Sequence, residues 1–371
     1  MRSQHSIGGL AKVGTSKAAT WRSCIAQPVE NEPFAALRKL PIEQPMNIQR
    51  RKFLYLAAAG AVPGWLCRPA SAQTYPSRSV RIIVAYAPGG QTDTIARLLA
   101  QKLSDRFGTQ FYVENVPGAG GNIGMARAAQ AAPDGYTLAV IDVTASVVNP
   151  RLTKVAYDPF KDFDPIALPA TTTQVLVVHP SLPVRTVTEL VALVRANPGQ
   201  YSYGSAGIGS ASHLTAELFR TSLGLDLIHI PFNGAGPAIA STLGGHTPIA
   251  FGSPASTVAQ VNEGSLRGLA VASRIRLTAL PQVPTMGEAG LPDIICDARL
   301  GMVAPAGTPH DILALLNREI AKLIELAGVK ERLATFGFEG SANTPEESAT
   351  LIRAESAKWA KVIQDAGIKT Q

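Results

Sequence analysis

The sequence predicts an α/β fold built as two similar domains, each a mostly parallel sheet flanked by helices. Three observations carry this. First, six of the seven residues from Val80 to Tyr86 are apolar, as in a strand covered on both faces. That run passes through Ala87-Pro88-Gly89-Gly90-Gln91-Thr92-Asp93 into a helical stretch. Second, the order strand, glycine-rich turn, helix returns over 110–146, giving βαβαβ. Third, the same order fills 201–256, as a second domain would.

In the first turn, Pro88 fixes one dihedral, and Gly89 and Gly90 permit positive φ and close approach of a ligand. Asp93 is read as the N-cap of the helix, whose free N–H groups attract an anion. A strand is expected over 110–114, then a turn at 115–124 and a helix over 122–131 that stops at Pro133-Asp134-Gly135. A third strand over 136–141 exits through a loop at 142–146. Residues 150–170, rich in proline with Tyr157, Phe160 and Phe163, read as a covering loop.

A strand over 174–179 follows, then a helix over 186–197 with a Thr186/Glu189 capping box. Turns at 205–213, 231–237 and 252–256 each precede a helix or follow a strand. Strands at 266–272 and 298–304 and helices over 309–327, 329–335 and 345–366 complete the chain. Ala349, Ile352, Trp359 and Ile363 recur at helical spacing, so the last helix packs on a core.

The chain has 371 residues, 46% hydrophobic and 16% charged, with a net charge of +7, the profile of a globular protein. Ten of the 34 basic and three of the 27 acidic residues lie in 1–72, so the rest carries 24 of each. A neutral body lacks the footprint of a nucleic-acid binder. Cys24 and Cys67 fall in the leader and Cys296 in the body, so a processed chain has no internal disulfide.

Arg50-Arg51-Lys52, the apolar run 53–66 and Ala70-Ser71-Ala72 form an export signal over 46–72. The arginine pair resembles a twin-arginine signal, with Gln49 where Ser or Thr would stand, so the Sec route stays open. Residues 1–45, ahead of Met46, read as an over-extended reading frame or a disordered extension.

No GxSxG, HExxH, P-loop or Cys/His cluster occurs, so neither catalysis nor a metal or cofactor is expected. The glycine runs from Gly118 and Gly207 each miss a dinucleotide fingerprint by one position, at Ile123 and Ser212. His213, with Ser210 and Ser212 beside it, reads as part of a helix start rather than a nucleophile pair. What remains is a set of Gly/Ser/Thr loops at strand ends in both halves, suited to holding a small anion, such as a carboxylate, in a cleft that closes by a hinge.

The motifs Ala87–Asp93, 114–124, 132–138, Tyr203-Gly204-Ser205-Ala206-Gly207 with His213-Leu214, 280–285 and 301–309 together resemble the Bug-type periplasmic solute-binding proteins of tripartite tricarboxylate transporters. The resemblance spans about 75–371. It implies a two-lobe periplasmic-binding-protein (Venus-flytrap) fold, with 73–174 plus 301–371 as one lobe and 175–300 as the other. It also implies a monomeric, periplasmic receptor that delivers a small carboxylate to membrane permease subunits. The alternatives are a flytrap sensor feeding a sensor kinase and, further off, an exported hydrolase. Carried over residue by residue, lobe one would contribute Pro88, Gly89, Gly90, Gln91, Thr92 and Asp93, with Thr144 and Ser146 beneath. Lobe two would contribute Ser205, Gly207, Ser210, His213, Phe232, Asn233, Gly234, Gly252 and Ser253. Many members have Tyr-Lys-Gly where this chain has Phe232-Asn233-Gly234, and Phe-Asp where it has Phe251-Gly252. The departures imply a ligand less polar at its distal end than an amino acid or citrate, such as an aromatic or short aliphatic carboxylate.

Overall fold

The computed structural model describes residues 75–365. The expected extension over 1–45 and the export signal over 46–72 lie outside the described residues.

Two sheets organise the chain. The first has the spatial order β11 (Glu339–Gly340), β4 (Phe163–Thr172), β10 (Ala298–Pro305), β3 (Thr137–Asp142), β1 (Val80–Val84) and β2 (Phe111–Asn115). The second has the order β7 (Ile228–Pro231), β6 (Ser202–Ser205), β8 (Ile249–Gly252), β5 (Val175–Val178) and β9 (Arg267–Val271). Both are mixed. The pairs β1–β2, β1–β3, β6–β7 and β6–β8 are parallel. β10 and β11 in the first sheet, and β5 against β8 and β9 in the second, run antiparallel. The expectation of mostly parallel sheets therefore holds for only part of each. β5 and β10 run antiparallel because each enters its sheet where the chain passes between lobes, while β11 is a short strand at the edge of the first sheet. The chain crosses at Thr173-Gln174, between β4 and β5, and returns after β9 into β10.

The helices are α1 (Gln91–Phe107), α2 (Asn122–Ala129), α3 (Val143–Leu152), α4 (Val187–Ala196), α5 (Ala211–Ser222), α6 (Ala235–Leu243), α7 (Pro254–Asn262), α8 (His310–Glu325), α9 (Ala327–Thr335) and α10 (Pro345–Asp365). Alternation along β1 splits the first core into two layers. Ile82 packs with Leu99 and Leu103 of α1 and Leu316 of α8. Ile83 packs with Met125 of α2, Val148 of α3 and Ile352 and Trp359 of α10. In the second lobe, Leu176 and Val178 join Leu190 of α4 and Phe219 of α5, while Val175 and Val177 join Ile239 of α6. Each sheet is thus covered on both faces, which is why its strands read as continuous apolar runs.

Two elements replace the loops expected at 142–146 and 150–170. α3 begins directly after β3, with Asp142 as its N-cap, and contains Pro150. Proline has no N–H for the carbonyl four residues back. The Tyr157 hydroxyl donates to that carbonyl, of Ser146, at 3.3 Å, which lets the last turn form. β4 carries Pro165 and Pro169, as an edge strand tolerates. Over most of its length its outer side is met by side chains instead of another strand. The Leu168 N–H donates to Asn343 Oδ1 at 2.8 Å, and Asn317 Nδ2 donates to the Ile166 carbonyl at 2.8 Å.

Candidate functional site

The turn after β1 is stiffened from beneath. Gly90, not Asp93, is the N-cap of α1. Asp93 lies in the first turn, where its carboxylate accepts from the Gly89 N–H at 3.1 Å, from Asn115 Nδ2 at 2.9 Å and from Arg97 Nε at 3.0 Å. The helix starts earlier than expected because Gly89 takes a φ of +89°, which turns the chain at once and frees Asp93 to brace the turn. Burial pushes the Asp93 carboxyl up, but hydrogen bonds from Arg97, Asn115 and Gly89 outweigh it and hold it below its ordinary value.

The lobes meet over this turn. The Ala87 N–H donates to the Asn233 carbonyl at 2.8 Å. Gly89 and Gly90 face Gly236 and Ala235, and Gly120 faces Gly207 and Ile208. Between them lies an inner cavity of about 20 Å³ lined by Tyr86, Gly90–Thr92, Asp142, Gln174, Ala206, Ser210, Ser212, Ala235 and Ser253, room for about one water molecule in this closed arrangement.

Five helices begin at this cavity. Gly90 caps α1, Asp142 caps α3, Ser210 caps α5, Gly234 caps α6 and Ser253 caps α7. A lining residue comes from the first turn or cap of each. Each start carries unpaired N–H groups and roughly half a positive charge. Among the described residues no Lys, Arg or His lines the space, and Asp142 is the one charged residue that does. Asp142 Oδ1 accepts from the Ala145 N–H at 3.2 Å, and Oδ2 accepts from Gln91 Nε2 at 3.2 Å and from the lobe-two Ala211 N–H at 3.4 Å. Burial drives its carboxyl up to about 6 despite the Ala145 and Ala211 N–H groups, and Glu355 adds to the rise.

Of the expected site residues, Gly90, Gln91, Thr92, Ser210 and Ser253 come together around the inner cavity. Pro88 and Gly89 stand at the exposed rim. Phe232, Asn233 and Gly207 line a wider opening of about 370 Å³ further along the seam, with Lys154 and Asn149. Ser146 lines a small space of about 10 Å³ between the two, which also touches Tyr86 and Asp142. Gly234 lies against Ala87, and Gly252 packs against Thr257 and Ile239. Thr144 turns away from the cleft and donates to Glu355 Oε1 at 3.2 Å. Ser205 bonds His229 Nε2 at 2.7 Å. His213 Nδ1 accepts from the Gly209 N–H at 3.1 Å, and its ring stacks on His229 at 4.3 Å. Burial lowers His213 to about 4 and His229 to about 3, so both are neutral.

Sequence reasoning missed Tyr86, Asp142, Gln174, Ala206 and Ser212 as lining residues, while Ala235 falls in the 232–236 loop that the resemblance assigns to lobe two. Asp142 carried a signal, since an Asp directly after a buried strand is a strong helix cap. Gln174 carried none, because its place depends on how the lobes meet.

The family described as tripartite tricarboxylate transporter family receptor matches residues 95–368. This chain belongs to that family of receptors. Protein BugT of Bordetella pertussis is 35% identical over 318 residues, covering 85% of this chain and 96% of BugT. Among solved structures, the periplasmic binding protein BugD is 33% identical with a TM-score of 0.77, covering 80% of this chain and all of BugD. MatC from Rhodopseudomonas palustris, solved with bound malate, is 32% identical with a TM-score of 0.74, covering 78% of this chain and all of MatC. An R. palustris protein solved with adipate is 33% identical with a TM-score of 0.77, covering 80% of this chain and 99% of that one. The receptor thus shares the two-lobe periplasmic-binding fold, within a family of solute receptors rather than enzymes.

Proposed function

We propose that this receptor captures a small organic carboxylate in its interlobe cleft and hands it to the membrane permease subunits of a tripartite tricarboxylate-type uptake system. The observation that carries the reading is the convergence of five helix N-termini, from both lobes, on one cavity without a side-chain cation. Such a site holds an anion by main-chain N–H groups and hydroxyls, and it is complete only when the lobes meet. The carboxylate sits between Gly90–Thr92 and Ser210, and the rest of the ligand runs past Gly120 and Asn149 toward Phe232 and Asn233. The adipate and malate held by the two relatives support that chemistry. Lobes of 73–174 plus 301–371 and of 175–300 agree with the sheet membership of β4 and β5, with β10 joining the first sheet from Ala298. Export by the signal over 46–72 places the receptor in the periplasm.

Calorimetry with adipate, malate, benzoate and citrate, paired with small-angle scattering, tests this. At least one mono- or dicarboxylate binds and makes the particle more compact. Selective tight binding of citrate overturns the less polar distal end inferred from Phe232-Asn233 and Gly252. Binding of none of the four overturns the carboxylate reading. Capture of a sensor kinase in place of permease subunits from host membranes overturns the transport role.

A further inference from the structure

Gln91, Asp142 and Gln174 form a chain of side chains on the floor of the inner cavity. Gln91 Nε2 donates to Asp142 Oδ2 at 3.2 Å, and Gln174 Nε2 donates to Gln91 Oε1 at 3.2 Å. All three are buried, and Gln174 Oε1 has no hydrogen-bond partner among the described residues. The direction of the chain follows from its first member. An ionised carboxylate only accepts, so Gln91 must point its NH2 at Asp142 and its oxygen at Gln174. Gln174 must then spend its NH2 on Gln91, which leaves its own oxygen as the buried, unpartnered end of the chain.

We propose that these three residues form a proton-linked amide relay, in which both amides turn over together when Asp142 takes a proton. The Asp142 hydroxyl then donates to Gln91 Oε1, and Gln91 Nε2 donates to Gln174 Oε1. Gln174 is left with its NH2 at that end, a donor in place of an acceptor. Each link survives with its sense reversed, and the net change is one proton taken from solvent.

The surroundings favour a proton that comes and goes in the range where receptors work. Glu355 on α10 is the charged group that disfavours ionised Asp142, and burial acts in the same sense. Tyr86, just after β1, is pushed well above its ordinary value, and Cys296 is pushed up to about 12, so both stay neutral. His213 on α5 is lowered to about 4 and is neutral too. Lys358 on α10 lies over the Trp359 ring, and Asp93 on α1 is turned to Arg97.

On the carboxylate reading proposed above, the relay sets what the ligand meets. A carboxylate needs the NH2 of Gln174, so its binding protonates Asp142, and affinity falls up to about tenfold per pH unit above the Asp142 midpoint. A ligand with a hydroxyl or amino group at that end uses the Gln174 oxygen and takes up no proton.

Side-chain amide NMR on the full receptor tests the relay without any ligand. The Gln91 and Gln174 NH2 resonances should shift together with one midpoint near pH 6, where Asp142 titrates, and should stay fixed in Asp142→Asn. Independent midpoints, or no movement between about pH 4.5 and about pH 8, overturn the proposal. In Gln91→Leu, which keeps Asp142 but breaks the chain, Gln174 should no longer respond; a persisting response also overturns it. Calorimetry with adipate in two buffers of different ionisation enthalpy then reads proton uptake. Up to about one proton per adipate is expected, and none in Asp142→Asn. Uptake that survives in Asp142→Asn assigns the proton elsewhere and overturns the relay. If adipate fails to bind, the ligand reading is lost, while the amide titration still decides the relay.

Discussion

Gly236 of α6 rests against the Pro88 carbonyl, so close that a Cβ built on it would stand 2.4 Å from that oxygen. Gly236 belongs to lobe two and Pro88 to the turn of lobe one, so only the closed arrangement feels this contact. Gly236→Ala is therefore expected to leave both lobes folded and hold them apart. Ala before Pro237 is mildly disfavoured in a helix, so the melting temperature falls by no more than about 4 °C. Carboxylate affinity falls by about tenfold or more, since closure must be given up or strained. Scattering at saturating carboxylate reports a more open particle for the variant than for the parent; an unchanged profile and affinity count against the closing role.

Ser210 separates holding the fold from holding the anion. Its Oγ accepts from the His213 N–H at 3.3 Å as the cap of α5, and it lines the inner cavity. Ser210→Ala is expected to cost about 1 kcal/mol as a lost cap, with a modest loss of affinity. Ser210→Asp keeps a good cap but sets a second carboxylate beside Asp142. Denaturant unfolding should find both variants still folded, while calorimetry finds carboxylate binding weakened by about a hundredfold or more in Ser210→Asp alone.

Removing the brace under the turn has a pH signature. Asp93→Ala strips an acceptor from Gly89, Asn115 and Arg97, at a cost of about 1–3 kcal/mol near neutral pH. The folded Asp93 carboxyl is held below its ordinary value. Its contribution is present above the ordinary carboxylate range and is lost as pH falls through the folded value. Parent and variant stabilities measured by urea unfolding should therefore converge in acid.

The paired imidazoles of lobe two act in the same direction, over a higher pH window. His213 and His229 are neutral when folded, at about 4 and about 3, but take protons near 6.5 once unfolded. A lowered histidine makes stability fall as pH drops below that unfolded value. Against a His213→Phe, His229→Phe double variant, the parent is expected to lose about 3 kcal/mol between about pH 7.5 and about pH 5. Parallel curves for the two proteins would show that the pair does not titrate on unfolding.

Much of the fold was legible because its signals are local. The apolar run into Pro88-Gly89-Gly90, the Thr186 cap and the helical spacing of Ile352 and Trp359 each depend on near neighbours. α3 and β4 were hidden because prolines carry the opposite local signal. The carbonyl that Pro150 leaves without an N–H is within reach of the Tyr157 hydroxyl, and the edge of β4 around Pro165 and Pro169 is served by Asn343, Asn317 and Ser341. The site divides the same way. Gly90, Gln91, Thr92 and Ser210 announce themselves as turn and cap residues. Gln174 and the orientation of Thr144 depend on which elements the fold brings against them, and no spacing in the sequence encodes that.

The inner cavity draws its attraction for anions from where five helices begin, and a helix start survives almost any change of side chain. Much of the grip on an acid therefore lies in main-chain groups that most single substitutions leave in place. Substitutions around the seam, at Phe232, Asn233 or Gly252, are free to redirect the receptor from one acid to another without passing through an inert intermediate. A lineage built on this plan can diversify its diet while its grip is inherited intact.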